Sequence, residues 1–388
     1  MKKRVYLDYA AATPIDPQVA KAMQSARPNF ANPSAQYGSA REAKKLLDTA
    51  RKDVAMFLGA NSDEIVFTSG ATESNNIALL AAARQHKSGR IISVATEHAS
   101  VREPLKQLGR EGYEVAHIVL DEDGQVDIQS LSKQLTKNTI LVSISYSNGE
   151  IGTIQPIVKI GQMIREYEKA HDIKIVFHSD ASAAALLLNC EVSRLGVDLL
   201  TLSGNKLYGP AGVGALYVRR GTQLAPILFG GGQEMGIRPG TESVELAVGL
   251  AKSLQLAAEH RDKDSKNFAN MISVFDNLLK KQGSTITIGA TKHGNHLPNV
   301  IAYTFEGING EDIVAYMDAA GFEIATGAAC EAAHEDPNPS LLGLGISKAQ
   351  AQGTIRVSVG RGTTQVEVDS AAQALINTLD ILGYKWDN

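Results

Sequence analysis

The chain has 388 residues, of which 44% are hydrophobic and 21% charged, and it carries a formal charge of −4. These values are ordinary for a globular protein and give no reason to expect direct binding of nucleic acid. The length favours two domains over a single core, and no apolar run approaches the roughly 20 residues of a membrane span.

Residues 1–4 are basic, but residues 5–12 include Asp8 and do not form the apolar core of a signal peptide; a cytoplasmic protein is expected. From 65 to 218, short apolar runs alternate with amphipathic stretches. Strands are predicted over 65–68, 90–94, 114–119, 139–144, 174–178, 199–202 and 214–218, and helices over 73–84, 101–111, 128–135 and 158–169. This is the α/β pattern of a mainly parallel seven-stranded sheet covered by helices, with its active site at the carboxyl ends of the strands. A loop follows Gly230-Gly231-Gly232, then a long helix over 244–279. A second alternation comes next, with strands over 299–304, 322–325 and 354–359 and helices over 310–320 and 365–382. It reads as a smaller α/β C-terminal domain.

The chemistry concentrates where these strands end. The run from Val197 to Leu202 leads into Ser203-Gly204-Asn205-Lys206 and is stopped by Gly209-Pro210, which delivers Lys206 to the lip of a sheet. A lysine there is either a solvated surface charge or an amine able to form a Schiff base. An earlier strand, Ile175-Val176-Phe177-His178-Ser179, ends in Asp180. Alone it could be a turn aspartate; paired with Lys206 it suits pyridoxal phosphate, whose ring nitrogen needs a carboxylate. Ser69-Gly70-Ala71-Thr72-Glu73 opens a helix and could bind a phosphate or simply cap the helix. His98 reads alone as a capping or solvated histidine, Ser147-Asn148-Gly149 as a turn, and Arg356 as a structural ion pair. Of two cysteines, too few for a disulfide framework or a zinc cluster, Cys190 sits in an apolar setting and Cys330 in a small, loop-like one. No metal is expected.

Taken in order, Tyr6-Leu7-Asp8-Tyr9-Ala10-Ala11, Asp180-Ala181, Ser203 to Pro210, Arg238-Pro239-Gly240-Thr241-Glu242 and Ile355 to Arg361 resemble the class V, fold-type I pyridoxal phosphate enzymes. Among these the chain is most similar to the cysteine desulfurases of the NifS/IscS type, over nearly its whole length. The resemblance implies a large cofactor-binding domain at 13–255. Residues 1–12 and 256–388 would form a small domain carrying the cysteine loop at about 325–340. It implies that Lys206 holds the cofactor and shuttles a proton, that Asp180 pairs with its ring nitrogen, and that His98 stacks on the ring. Ala71, Thr72, Ser203 and Asn205 would surround the phosphate, joined by Thr241 of the partner subunit in a homodimer. Asn148 would bond the cofactor and the substrate, and Arg356 the substrate carboxylate. Cys330 would take sulfur from L-cysteine, leaving L-alanine, and pass it to an iron–sulfur scaffold or a tRNA-thiolation enzyme.

The chain departs from the family pattern at five places. Asn205 stands where the family has histidine, Gly149 where it has a second asparagine, and Ala183 where it has a glutamine bonded to the cofactor's phenolic oxygen. The loop at 32–38 lacks a histidine and looks short, while the stretch at 331–339 looks long and acidic. Losing the donor at Ala183 should loosen the cofactor by about 1–3 kcal/mol if the group is buried. Two alternatives remain open at this stage: a selenocysteine lyase or other beta-eliminating enzyme, and a non-catalytic paralogue that binds partners of the sulfur pathway.

Overall fold

The computed structural model describes residues 4–283, 285–289, 295–327 and 339–386. β1 (Val5–Tyr6) is followed by two helices absent from the reading above, α1 (Pro17–Ala26) and α2 (Gly38–Leu58). Asp16 caps α1 by accepting the Gln18 N–H, with Pro17 at the first helical position. In α2, Ala40, Ala43, Leu47, Ala50, Val54 and Leu58 recur every three or four residues on the buried face, and Gly59 ends the helix at φ 61°.

The next stretch builds the main sheet: β2 (Ile65–Thr68), α3 (Ala71–Asn76), β3 (Arg90–Val94), α4 (Ala99–Arg110), β4 (Glu114–Ile118), α5 (Ile128–Gln134), β5 (Thr139–Ser143), α6 (Ile157–His171), β6 (Val176–Asp180), α7 (Val192–Leu195), β7 (Leu199–Ser203) and β8 (Gly214–Val218). The sheet has seven strands in the order β2-β8-β7-β6-β5-β3-β4. Only β8 runs against its neighbours. Every residue of β2, β5, β7 and β8 is buried, as expected of strands covered on both faces. The strand predicted at 174–178 lies two residues later, which makes Asp180 its last residue. The helix predicted at 73–84 begins at Ala71 and passes through a π turn at Ile77–Ala81.

α8 (Val244–Lys280) is a continuous helix of 37 residues that packs on α1, α2 and the last helix. Beyond it come β9 (Ile286–Ile288), β10 (Val300–Thr304), α9 (Gly310–Ala320), β11 (Phe322–Glu323), β12 (Ala325–Thr326), α10 (Pro339–Leu342), α11 (Lys348–Gln352), β13 (Thr354–Ser358) and α12 (Gln365–Ile381). The single strand predicted at 322–325 is two short ones, because the chain changes sheets at buried Ile324. β11 pairs with β1, and β12 joins an antiparallel sheet ordered β12-β13-β10-β9. The Leu7 N–H donates to Glu323 O at 2.8 Å and the Ser358 N–H to Leu7 O at 2.8 Å. The amino-terminal strand is thereby laid beside β13, and Asp8 comes to lie next to Arg356. Among the described residues no helix is long and apolar enough to cross a membrane.

Candidate active site

The strand ends of the main sheet open onto a cavity of about 400 Å³. Ala71, Thr72, His98, Asn148 and Asp180 line it, as do Ser203, Asn205, Lys206 and Arg356. Thr241 is exposed in the loop before α8 and is not part of this wall. Cys330 lies outside the described residues. Cys190 is fully buried, and burial pushes its thiol up to about 12, which fits a structural residue.

Lys206 ends a single 3-10 turn, Gly204–Lys206, that follows β7 directly. A Cβ on Gly204 would sit 2.6 Å from Pro210 O, and one on Gly209 2.8 Å from Gly204 O, so only glycine lets the backbone close this tightly. Tyr208 adopts φ 57°, an uncommon conformation for an aromatic residue. Three hydrogen bonds hold it there. Its N–H donates to Thr13 Oγ1 at 2.7 Å, its carbonyl accepts the Asp16 N–H at 2.9 Å, and its hydroxyl oxygen accepts the Arg361 N–H at 2.8 Å. Beside the lysine, Ser203 Oγ donates to Asn205 Oδ1 at 2.6 Å, which leaves the Asn205 NH₂ as a donor.

Asp180 is linked to His98 by a continuous chain of hydrogen bonds. Asn75 Nδ2 donates to Asp180 Oδ2 at 2.7 Å and to Ser100 Oγ at 2.8 Å. Ser100 Oγ lies 2.8 Å from His98 Nδ1, and the Ser100 N–H donates to the same nitrogen at 3.1 Å. A ring nitrogen that accepts a backbone N–H places the proton of the neutral ring on Nε2. His98 is also the N-cap of α4, so the capping role and a place on the cavity wall coincide in one residue. The Ser182 N–H donates to the other oxygen of Asp180 at 2.8 Å.

Two buried titratable groups lie near Asp180. His178 sits between Ser143 and Thr201, and burial pushes its pKa down. Glu97 accepts the Ser145 N–H at 2.8 Å and meets the Ser145 hydroxyl, and burial pushes its carboxyl up to about 8. Burial thus favours the uncharged form of each.

Asn148 is woven into its own turn. Its Nδ2 donates to Thr96 O at 2.8 Å, and its Oδ1 accepts N–H groups from Glu150 at 2.8 Å and Ile151 at 3.1 Å. A Cβ on Gly149 would lie 3.5 Å from Ala183 Cβ and 3.8 Å from Lys206 Nζ. Two of the departures from the family pattern therefore face each other beside the lysine, and neither supplies a side-chain amide. Arg356 forms ion pairs with Asp8 at 2.7 Å and Glu150 at 3.1 Å while lining the cavity. On the phosphate side, Glu73 accepts the Ser69 N–H and, at 2.9 Å, Arg238 Nε. This ties the loop bearing Thr241 to the turn at Ala71. Burial alone would raise the Glu73 carboxyl, but the bonds from Arg238 and Ser69 outweigh it and hold the group low.

Sequence reasoning did not assign Asp8, Asn75, Ser100 or Glu150. Asp8 lies inside a quoted motif, and Asn75 and Glu150 lie just beyond two others, but their partners are set by topology and nothing in the spacing announces them.

The cavity wall suits a phosphorylated pyridine aldehyde. Ser147 and Ser182 line the cavity, and the buried Oγ of each has no hydrogen-bond partner among the described residues, so the wall holds unsatisfied polar groups. An amine, a carboxylate and small donors at a strand-to-helix turn fit such a group.

The family model for Aminotransferase class-V matches residues 5–370, and the chain belongs to that family. It is 39% identical to the cysteine desulfurase IscS of Dictyoglomus turgidum over 98% of this chain and 94% of that protein. A solved structure described as a NifS-like protein superposes with a TM-score of 0.90 at 32% identity, covering 98% of this chain and 100% of the other. SspA, solved in complex with cysteine, superposes with a TM-score of 0.79 at 33% identity over 93% of this chain and 100% of its own. Within class V the chain is one of the NifS/IscS-type cysteine desulfurases, enzymes that depend on pyridoxal phosphate.

Proposed function

We propose that this site converts L-cysteine to L-alanine with Lys206 holding pyridoxal phosphate and Cys330 receiving the sulfur as a persulfide. Bound there, the cofactor supplies an electron sink for the bonds at the substrate's alpha carbon. Asp180, oriented by Asn75 and Ser182, holds the proton on the ring nitrogen. Ala71, Thr72, Ser203 and Asn205 take the phosphate, and Asn148 offers its remaining amide hydrogen to the cofactor and substrate. The Lys206 amine moves a proton at the substrate alpha carbon, and His98, protonated at Nε2, stacks on the ring and serves further proton transfers. Arg356 binds the substrate carboxylate with its guanidinium fork.

The Cys330 thiolate attacks the substrate sulfur; the carbon–sulfur bond breaks as the sulfur–sulfur bond forms, its electron pair passes to the beta carbon, and a proton added there gives alanine. The persulfide is then passed to an acceptor protein such as an iron–sulfur scaffold or a tRNA-thiolation enzyme. Thr241 of the partner subunit completes the phosphate cup in a homodimer, a reading supported by its exposure here. The division at 13–255 against 1–12 and 256–388 belongs to the same reading.

The observation that carries it is convergence: nine assigned residues, drawn from stretches between Ala71 and Arg356, line one cavity. The test supplies L-cysteine and a reductant to the pyridoxal phosphate-loaded enzyme and measures alanine, sulfide and the mass of the Cys330 peptide. Expected are both products and one added sulfur atom on Cys330. Lys206→Ala should lower turnover by roughly 10²-fold or more, and Cys330→Ala should nearly abolish turnover of L-cysteine. Absence of turnover in the loaded wild type would sink the reading. Retention of most activity in Cys330→Ala would make the chain a beta-eliminating enzyme instead.

A further inference from the structure

Arg356 is only 3% exposed, yet two carboxylates share it. Asp8 Oδ1 lies 2.7 Å from Nη2, and Glu150 Oε1 lies 3.1 Å from Nη1. Nη1 also donates to Gly149 O at 3.3 Å. The cluster is one negative charge in excess of what a single guanidinium balances. Glu150 lines the cavity, whereas Asp8 does not. Its second oxygen, Oε2, is buried and has no hydrogen-bond partner among the described residues. The charged groups facing Glu150 are Arg356 from β13, Lys206 from the turn after β7 and Asp8 from the segment after β1.

We propose that Glu150 is a stand-in carboxylate, which holds one side of Arg356 until the substrate carboxylate arrives, then yields that side and takes up a proton from solvent. The inference rests on the reading that Arg356 binds that carboxylate. Its physical basis is charge balance. A third carboxylate at one buried guanidinium would leave two uncompensated negative charges, and like charges sharing a site push one of the groups to its neutral form. Glu150 is the group to change state, because it shares the cavity wall with Lys206 and makes the longer of the two contacts. Burial already raises its carboxyl pKa, opposed by Arg356 and Lys206 and assisted by Asp8. Glu150 is thus a positioning residue that acts through Arg356.

The test uses propionate, the substrate's carboxylate without amine or thiol, bound to the cofactor-loaded enzyme. Its dissociation constant is read from the shift of the cofactor's absorption band across pH. In the wild type, affinity should fall as pH rises through the Glu150 pKa, by up to about tenfold per pH unit for one proton taken up. Glu150→Gln should bind propionate several-fold more tightly with no such slope. Asp8→Asn should also tighten binding but weaken the slope, because substrate then brings only a second carboxylate to Arg356, no more than the resting wild type already holds. A flat wild-type profile, a slope that survives in Glu150→Gln, or weaker propionate binding in Asp8→Asn each overturns the proposal. Arg356→Gln separates the two levels: propionate bound as tightly there as in the wild type removes the Arg356 reading itself. Loss of binding in that variant together with a flat wild-type profile removes only the role of Glu150.

Discussion

Asn75 carries no titratable group, yet it joins the two residues expected to flank the cofactor ring. One amide nitrogen serves Asp180 Oδ2 and Ser100 Oγ, and Ser100 in turn fixes His98. Asn75→Ala would leave buried acceptors short of a donor, at a cost of about 1–3 kcal/mol. The loss falls on the carboxylate that should retain the cofactor ring, so cofactor release should quicken by roughly tenfold, the equivalent of about 1.4 kcal/mol. The decay of the cofactor's visible absorption on dilution measures this rate. An unchanged rate in Asn75→Ala would show that the Asn75 bond does not hold Asp180 in its working position. Asn75→Asp should be worse, because two carboxylates at 2.7 Å cannot both ionise without strong repulsion.

At the level of elements, the phosphate turn depends on how closely three backbones approach. Gly214 begins β8, and a Cβ there would meet Leu202 O at 2.6 Å and the Gly70 backbone at 2.8 Å. None of these atoms can swing aside as a side-chain tip could. Gly214→Ala should therefore destabilise the protein by about 1–3 kcal/mol and weaken cofactor retention, since the displaced turn carries Ala71 and Thr72. Thermal unfolding and cofactor release, compared with and without the substitution, check both halves; retention equal to the wild type would separate the turn from cofactor binding. Most strands of this sheet were legible because buried strands such as β5, β7 and β8 are nearly continuous apolar runs. α1 and α2 were not, because they precede the strand–helix alternation from which the fold was read, although the largely alanine buried face of α2 does recur every three or four residues. The split of β11 from β12 was hidden too, because a change of sheet at one buried residue leaves the apolar pattern intact.

Across the whole molecule, the cavity draws on segments that only topology unites. Asp8 and Arg356 lie 348 residues apart in sequence, and motif reading found the arginine without its carboxylate partners. It likewise reached the cavity wall but not the buried layer behind it, where Glu97 and His178 impose opposite pH dependences on stability. The Glu97 carboxyl is pushed up to about 8 by burial, so between the usual carboxylate range and that value the folded chain binds more protons than the unfolded one. Stability is then lost as pH rises through this window, by up to roughly 1.4 kcal/mol per pH unit. His178 is depressed by burial, so the unfolded chain takes up the proton first and stability is lost as pH falls below the usual histidine range. Glu97→Gln keeps an acceptor for the Ser145 N–H but removes the titration. Its unfolding midpoint should draw level with or pass the wild type as pH is raised from 5 to 8, while its decline on the acid side, set by His178, remains. Urea unfolding of both proteins at several pH values decides the matter, and midpoints that run parallel from pH 5 to 8 would mean that Glu97 already ionises freely in the folded protein.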